Sequence, residues 1–165
     1  QAVRRAKGEE DAEEVDTALD VLIDSYIPKS YIKDETQRME MYRKIAVITD
    51  DEDERDVIDE LIDRFGDPPK AVLQLVHLSK IRHLASTLKV ETIQQKGDEY
   101  SFHFVEGYEL DLSLLNELTS VFGKRLVFSM AGEYSIRLSA EKNALDDVEK
   151  VLDLMKIHKS HTRKA

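Results

Sequence analysis

The chain lacks cysteine, so disulfides and thiolate metal ligands are excluded and a reducing, cytoplasmic compartment is favoured. It also has no apolar run near the ~20 residues that a membrane-spanning helix needs. The first five residues have no signal-peptide apolar core, and the chain begins without Met, as a fragment or a processed chain would. The sequence therefore predicts a cytoplasmic protein with no membrane among its partners.

Positive charge is scarce relative to negative charge: 24 Lys and Arg residues face 34 Asp and Glu residues, giving a formal net charge of −10. A field of that sign repels phosphate backbones and argues against direct nucleic-acid binding by the domain as a whole. It favours a basic protein partner, or simply solubility. The basic cluster lies in the tail, residues 158–164, which we interpret first as a frayed end and second as an anion contact.

Helical periodicity dominates the first half of the chain. Residues 18–27 are predicted to form a buried strand, after which Asp34 caps one helix and Thr49 caps another that ends at Phe65. Gly66 suits the left-handed position after a helix. A long helix from about Pro68 to Leu88 is expected next, opened by Asp67 as its cap.

The second half changes to the period of strands. The predicted elements, in order, are a hairpin of Val90–Gln95 and Tyr100–Val105, a helix at Asp111–Val121, a second hairpin of Leu126–Met130 and Glu133–Leu138, and a last helix capped by Ser139. The sequence thus predicts an α+β fold. It has N-terminal helices and a small sheet in an αββαββα arrangement, with helices packed on the sheet.

One segment imitates a nucleotide site. Residues 45–52 resemble the magnesium-binding strand of a P-loop NTPase, with apolar residues followed by acids. Such a site also needs a Gly-rich loop with Lys and Ser or Thr, and the nearest candidate, residues 122–125, lacks the upstream Gly and the hydroxyl residue. A helix end followed by a capped helix start explains the segment better.

No other catalytic or metal pattern stands out. The five histidines have no H-E-x-x-H spacing, and no serine lies in a nucleophile elbow. Carboxylate pairs are too abundant to indicate acid–base chemistry. We therefore expect a non-enzymatic domain with no catalytic residues, no cofactor and no metal.

A protein-binding interpretation has more support. Asp53, Asp56, Glu60 and Asp63 advance by three, four and three residues, which places them on one ridge of the helix that ends at Phe65. Like charges at this spacing each cost a few tenths of a kcal/mol. The ridge is either an ordinary solvated face or a docking surface for a basic partner, and composition alone favours the solvated face.

Longer strings resemble a known family. Residues 23–32 read Ile-Asp-Ser-Tyr-Ile-Pro-Lys-Ser-Tyr-Ile, and residues 60–66 read Glu-Leu-Ile-Asp-Arg-Phe-Gly. Together they resemble the C-terminal domain of the bacterial transcription-repair coupling factors (the Mfd, or TRCF, family). The resemblance covers residues 18–158 as a regulatory domain. Residues 1–17 then correspond to the end of a motor-domain helix with an acidic linker, and residues 159–165 to a disordered basic tail.

That resemblance implies a function. The full factor is an ATP-driven DNA translocase that displaces stalled RNA polymerase and recruits UvrA. Its C-terminal domain is non-catalytic and masks the factor's own UvrA-binding module, which is autoinhibition by an intramolecular contact. The docking residues that carry over are Glu60 and Asp63, and Asp56 and Asp53 extend the ridge. The alternative is a stand-alone acidic adaptor that binds a basic protein in trans.

Overall fold

The computed structural model describes residues 15–130 and 132–164, so most of the predicted motor-helix and linker segment at 1–17 lies outside the described residues. The strands are β1 (Ala18–Asp20), β2 (Val90–Lys96), β3 (Glu99–Phe104), β4 (Leu126–Ser129) and β5 (Ser135–Ser139). The helices are α1 (Glu35–Ala46), α2 (Asp51–Phe65), α3 (Lys70–Thr87), α4 (Leu112–Phe122) and α5 (Ala144–Lys164). The chain forms a helical unit, residues 22–83, and a sheet unit made of the residues before and after it.

The helical unit has its own apolar core. Its buried members are Ile27, Ile32, Met41, Ile45, Ile48, Val57, Leu61, Val72 and Val76. Polar side chains tie the backbone around this core. The Ser79 hydroxyl donates to the Ile45 carbonyl at 2.6 Å, and the Tyr31 hydroxyl lies 2.7 Å from the Gly66 carbonyl oxygen. Both bonds engage a carbonyl at the C-terminal end of a helix, where fewer intrahelical donors are available.

Helix ends in this unit follow local chemistry. Asp34 caps α1 as predicted, since its carboxylate accepts from the Thr36 amide at 2.9 Å, and Gly66 has a φ of 86° at the end of α2. The prediction for the start of α2 was wrong by one residue, because Asp50 rather than Thr49 is the cap. The predicted start of α3 was also too early. The helix begins at Lys70, where the Pro69 carbonyl accepts from Val72 and Leu73.

The sheet unit holds a mixed sheet of order β1-β2-β3-β5-β4, in which β1 runs parallel to β2 and the remaining pairs are antiparallel. On β3, buried Tyr100, Phe102 and Phe104 alternate with half-buried residues. Val90 and Ile93 on β2 are three residues apart, yet both are buried. A register shift between Val90 and Thr92 reconciles that spacing with the two-residue period of a strand. The α+β prediction is confirmed, and the elements from α3 to α5 follow the αββαββα order.

Three predictions for this unit were wrong. The strand expected over residues 18–27 has only three residues, since its parallel pairing with β2 covers Ala18–Asp20 and stops at Gln94, before β2 itself ends. Ser139 ends β5 instead of capping the last helix. The basic tail from Lys159 was expected to be disordered, but α5 continues through Lys164.

Candidate docking surface on helix α2

Helix α2 has one buried and one exposed side. Val57 and Leu61 enter the core of the helical unit. The residues opposite them on the helix are Glu52, Asp56, Asp59 and Asp63, which advance by four, three and four residues. We call these four residues the acidic face. All are exposed, and in the described part of the chain none has a hydrogen-bond or ion-pair partner.

Glu60, a predicted docking residue, is already paired within the unit. Its carboxylate lies 2.7 Å from Lys44 Nζ on α1 and 2.7 Å from Arg64 Nη1 one turn further along α2. Glu40 joins the same two cations at 3.4 and 3.1 Å. The hydrogen bonds from Lys44 and then Arg64 hold the pKa of Glu60 below its usual value. These four residues, the α1–α2 ion cluster, join two helices.

Asp53, the first residue of the predicted ridge, also has a local role. Its carboxylate accepts from the Thr49 amide at 3.0 Å and from the Thr49 hydroxyl at 2.9 Å. Its own amide donates to the Asp50 carboxylate at 2.8 Å. The bond from the Thr49 backbone is the main reason that the pKa of Asp53 is lowered. Asp53 therefore stabilises the start of α2.

A buried lysine, which sequence reasoning missed, holds the same end of α2. Lys80 on α3 is only 9% exposed, and its Nζ lies 2.8 Å from Asp51 and 3.2 Å from Glu54. Two carboxylates compensate for taking the ammonium group out of water. Because Lys80 and Ser79 fix α2 and α1 against α3, the acidic face is presented in one orientation.

The predicted ridge thus separates into two kinds of residue. Asp56 and Asp63 are exposed and belong to the acidic face, whereas Asp53 and Glu60 are engaged inside the unit. Sequence reasoning missed Glu52 and Asp59. The signal was available, because these two residues lie more nearly opposite Val57 and Leu61 at 100° per residue.

Next to the acidic face lies a shallow groove of ≈ 240 Å³, and its lining is Lys44, Val47, Ile48, Asp53, Asp56 and Val57. The cation among them, Lys44, is already held by Glu60 and Glu40. Val47 is 72% exposed, which is high for an apolar side chain. A carboxylate beside an exposed aliphatic group suits the chemistry of Arg and Lys, which have an apolar stem and a cationic head. The arrangement can bind basic side chains. Within the described residues, no helix combines the length and the apolar character that a membrane span requires.

Comparisons with known proteins agree on one family. The family model described as "TRCF domain" matches residues 21–115, a range that includes α2. The transcription-repair-coupling factor of Bacillus subtilis is 30% identical over 161 residues, which cover 94% of this chain and 14% of that protein. The corresponding factor of Staphylococcus epidermidis is 36% identical over 99 residues, 59% of this chain and 8% of that protein.

Among solved structures, the crystal structure of a C-terminal domain of transcription-repair coupling factor superposes with a TM-score of 0.75 at 21% identity, covering 87% of this chain and 96% of the other. The fold is therefore that of this class of C-terminal domain. With the family model matching more than half of its length, the chain belongs to the TRCF domain family. It spans about 14% of the length of the Bacillus subtilis relative.

Proposed function

We propose that this chain is a non-catalytic regulatory domain of a transcription-repair coupling translocase. In this proposal it masks the UvrA-binding module of the same factor through an intramolecular contact. The observation that carries the proposal is the acidic face: four exposed carboxylates without a partner in the described residues, inside the segment that matches the family. Membership of the TRCF domain family supports a role in transcription-coupled DNA repair. RNA polymerase and UvrA are then reached through the full-length protein.

The free energies of a few surface ion pairs are together large enough for such a contact. Exposed ion pairs are each worth ~0.2–1 kcal/mol, so no single carboxylate is sufficient. A few pairs that are partly desolvated together supply the ~1–3 kcal/mol typical of coupling between sites. A tether raises the effective concentration of the two surfaces, so a weak contact is enough to mask a module. The same weakness lets a competing partner release it.

Secondary structure, ion pairing and net charge all support the non-catalytic part of the proposal. The segment that imitates a nucleotide site is the end of α1 followed by the capped start of α2, not a strand. Within that segment, the Asp51 carboxylate is paired with Lys80 on α3, which also pairs with Glu54 just beyond it. With a net charge of −10, the domain does not attract nucleic acid, so any DNA contact belongs to other parts of the factor.

The test is charge reversal of the acidic face in the intact factor, with Asp56→Lys and Asp63→Lys combined. Loss of the contact should unmask the module and raise the affinity for UvrA by about 5–150-fold, the range that matches the coupling energy above. The matched control is Glu91→Lys with Glu106→Lys, which makes the same charge change at exposed positions of the sheet unit. Glu60→Lys is avoided, since it would break the α1–α2 ion cluster.

Equal UvrA affinity in the reversed and control factors would refute the acidic face as the masking contact. The alternative, an adaptor that binds a separate basic protein in trans, is not favoured by the family match. It predicts that the isolated chain captures such a protein while ignoring the UvrA-binding module of its own factor. A pull-down with this chain on the beads, and with the basic protein and the UvrA-binding module competing in solution, distinguishes the two.

A further inference from the structure

A groove in the sheet unit lies where the loop after β3 meets the described part of the turn between β4 and β5. Its volume is ≈ 530 Å³, within the range of about 300–1,000 Å³ that is usual for binding pockets. Its lining belongs entirely to the sheet unit. The side chains that characterise it are Tyr108, Tyr134, Met130, Glu106, Glu109 and Glu133, and the rest of the lining is Val105 and two glycines. We call it the sheet-end groove.

Aromatic and apolar groups give the sheet-end groove a preformed surface. The Tyr108 ring stacks on the buried Phe104 ring, with centroids 4.5 Å apart and planes at 10°, so the fold holds it in place. The Tyr134 carbonyl accepts from the Phe104 amide at 3.3 Å, which ties the turn to the end of β3. Met130 is 49% exposed, and its thioether side chain is more stable in contact with another apolar group than in water. These groups offer a surface on which the apolar part of a ligand can pack.

Three carboxylates line the same groove. Glu106, Glu109 and Glu133 are all exposed, and within residues 15–130 and 132–164 none of their carboxylates has a hydrogen-bond or ion-pair partner. The described lining contains no Lys, Arg or His to neutralise them. The local potential is therefore negative, in keeping with the chain's net charge of −10, and it attracts cationic groups.

The spacing of the carboxylates favours an extended ligand over a single ion. Ca²⁺ binds its oxygen ligands at about 2.3–2.6 Å, so two ligands of one ion lie no more than about 5 Å apart. Among the described residues, the three glutamates do not form a group whose ligand atoms all lie within 4.8 Å of one another. A nucleic acid is repelled by the same charges. The groove therefore suits several cationic side chains that are spaced along one segment.

We propose that the sheet-end groove is a docking site for a basic peptide segment of a partner protein. Arginine stems of that segment pack on Met130 and the tyrosine rings, while their guanidinium groups pair with the glutamates. Arginine suits the groove better than lysine, since a guanidinium stacks on an aromatic face and pairs with a carboxylate through two hydrogen bonds. The groove shares no residue with the acidic face of α2, so this proposal does not depend on the masking function.

The experiment is a titration of the isotope-labelled chain with a blocked basic peptide, Gly-Arg-Leu-Arg-Leu-Arg-Gly, followed by NMR amide correlation spectra at low salt. We expect the amides of Gly107 and Gly132, which line the groove, to shift together with one Kd. Gly66, at the end of α2, reports binding near the acidic face instead. The proposal is overturned if Gly66 shifts while Gly107 and Gly132 do not, if the peptide does not bind, or if Ca²⁺ alone reproduces the shifts of the two groove glycines.

Two pairs of substitutions with the same charge change locate the contact. Glu109→Gln with Glu133→Gln removes two charges from the groove, whereas Asp56→Asn with Asp63→Asn removes two from the acidic face. The first pair should raise the Kd measured at Gly107 about tenfold, since exposed ion pairs are each worth up to ~1 kcal/mol, and the second should change it by less than about twofold. Equal changes in both would show that net charge alone attracts the peptide, and would refute the groove as the site.

Met130→Ser tests the apolar part of the contact, because it leaves every charge in place. We expect the Kd to rise about threefold through lost packing of the arginine stem. All of the substituted side chains are exposed, so the Tm should stay the same in every variant, which separates a lost contact from a lost fold. An unchanged Kd in Met130→Ser would refute the proposed packing.

Discussion

The helical unit and the sheet unit each use a cluster of charges to join two helices, but they use different cations. In the helical unit, Lys44 and Arg64 hold Glu60 between α1 and α2. In the sheet unit, His158 on α5 joins Asp111 and Glu117, at the start of α4 and within it. Lysine and arginine stay charged across the physiological range, whereas imidazole does not. The type of cation therefore determines whether acid or alkali removes the stability that each cluster contributes.

The directions of the pKa shifts give the sign of each cluster's pH dependence. The pKa of Glu60 is lowered in the folded state, first by Lys44, so its contribution is present above the unfolded value of 4.5 and is lost as the pH falls. The pKa of His158 is raised, first by the hydrogen bond to Asp111. Its contribution is complete below the unfolded value of 6.5 and is lost as the pH rises through the folded value. Acid weakens one cluster, and alkali weakens the other.

The largest expected effect comes from the apolar core and sets the scale for both clusters. Leu61 on α2 has an exposure of 0%, so Leu61→Ala leaves a cavity as well as removing buried methyl groups. We expect the free energy of unfolding to fall by about 2–5 kcal/mol. Urea denaturation followed by circular dichroism measures it. A loss near that of an exposed control such as Leu73→Ala would contradict the assignment of Leu61 to the core.

His158→Gln tests the sheet-unit cluster. At pH 6 we expect a loss of about 1–3 kcal/mol, since a cation bonded to two carboxylates is replaced by a neutral group. The difference from the parent chain should shrink as the pH rises, because the parent loses its own imidazolium charge. Thermal unfolding at a series of pH values from 6 to 9 measures it. His161→Gln, three residues along the same helix, is the control. A difference that stays constant with pH would refute the charged-imidazole interpretation.

Local signals explain why much of the fold could be predicted from sequence. The cap at Asp34 and the stop at Gly66 depend on neighbouring backbone, so their residue types are sufficient. The length of β1 depends on how far it pairs with β2, which lies far away in the sequence. The tail is helical in part because Met155, earlier in α5, is buried in the sheet unit. Neither cause is visible in a local pattern.

Prediction of the candidate site from local sequence patterns was limited in the same way. That Glu60 is engaged follows from Lys44, which lies 16 residues away on another helix, and spacing within α2 does not reveal it. The outward direction of Asp59 could have been predicted from the sequence, since it follows from the helical angle between Asp59 and Leu61. Spacing thus identifies which acids share a ridge, but only the tertiary structure tells which of them are already paired.

Glu60→Gln tests the helical-unit cluster and should have a smaller effect than His158→Gln. We expect a loss of about 0.5–1 kcal/mol at pH 7, the upper part of the range for partly exposed pairs. The loss should fade as the pH falls from about 4.5 through the lower pKa of the folded state, since protonation then removes the charge on the parent's carboxyl. Urea denaturation at pH 7 and at pH 3.5 measures both values. A loss that grows in acid would have the wrong sign for a carboxyl whose pKa is lowered.

The smallest expected effect comes from substituting Asp59, the residue next to Glu60. Comparing these two adjacent residues distinguishes the exposed side of α2 from the side that is paired within the unit. Asp59 lies three residues from Asp56 and four from Asp63, so on the acidic face it is close to two like charges. Asp59→Asn should therefore raise the free energy of unfolding by about 0.2–1 kcal/mol, whereas Glu60→Gln lowers it. The gain should diminish at 1 M salt, where exposed charges are screened. If both substitutions destabilise the chain equally at low salt, Asp59 has a partner within the fold, and the acidic face is not free to dock.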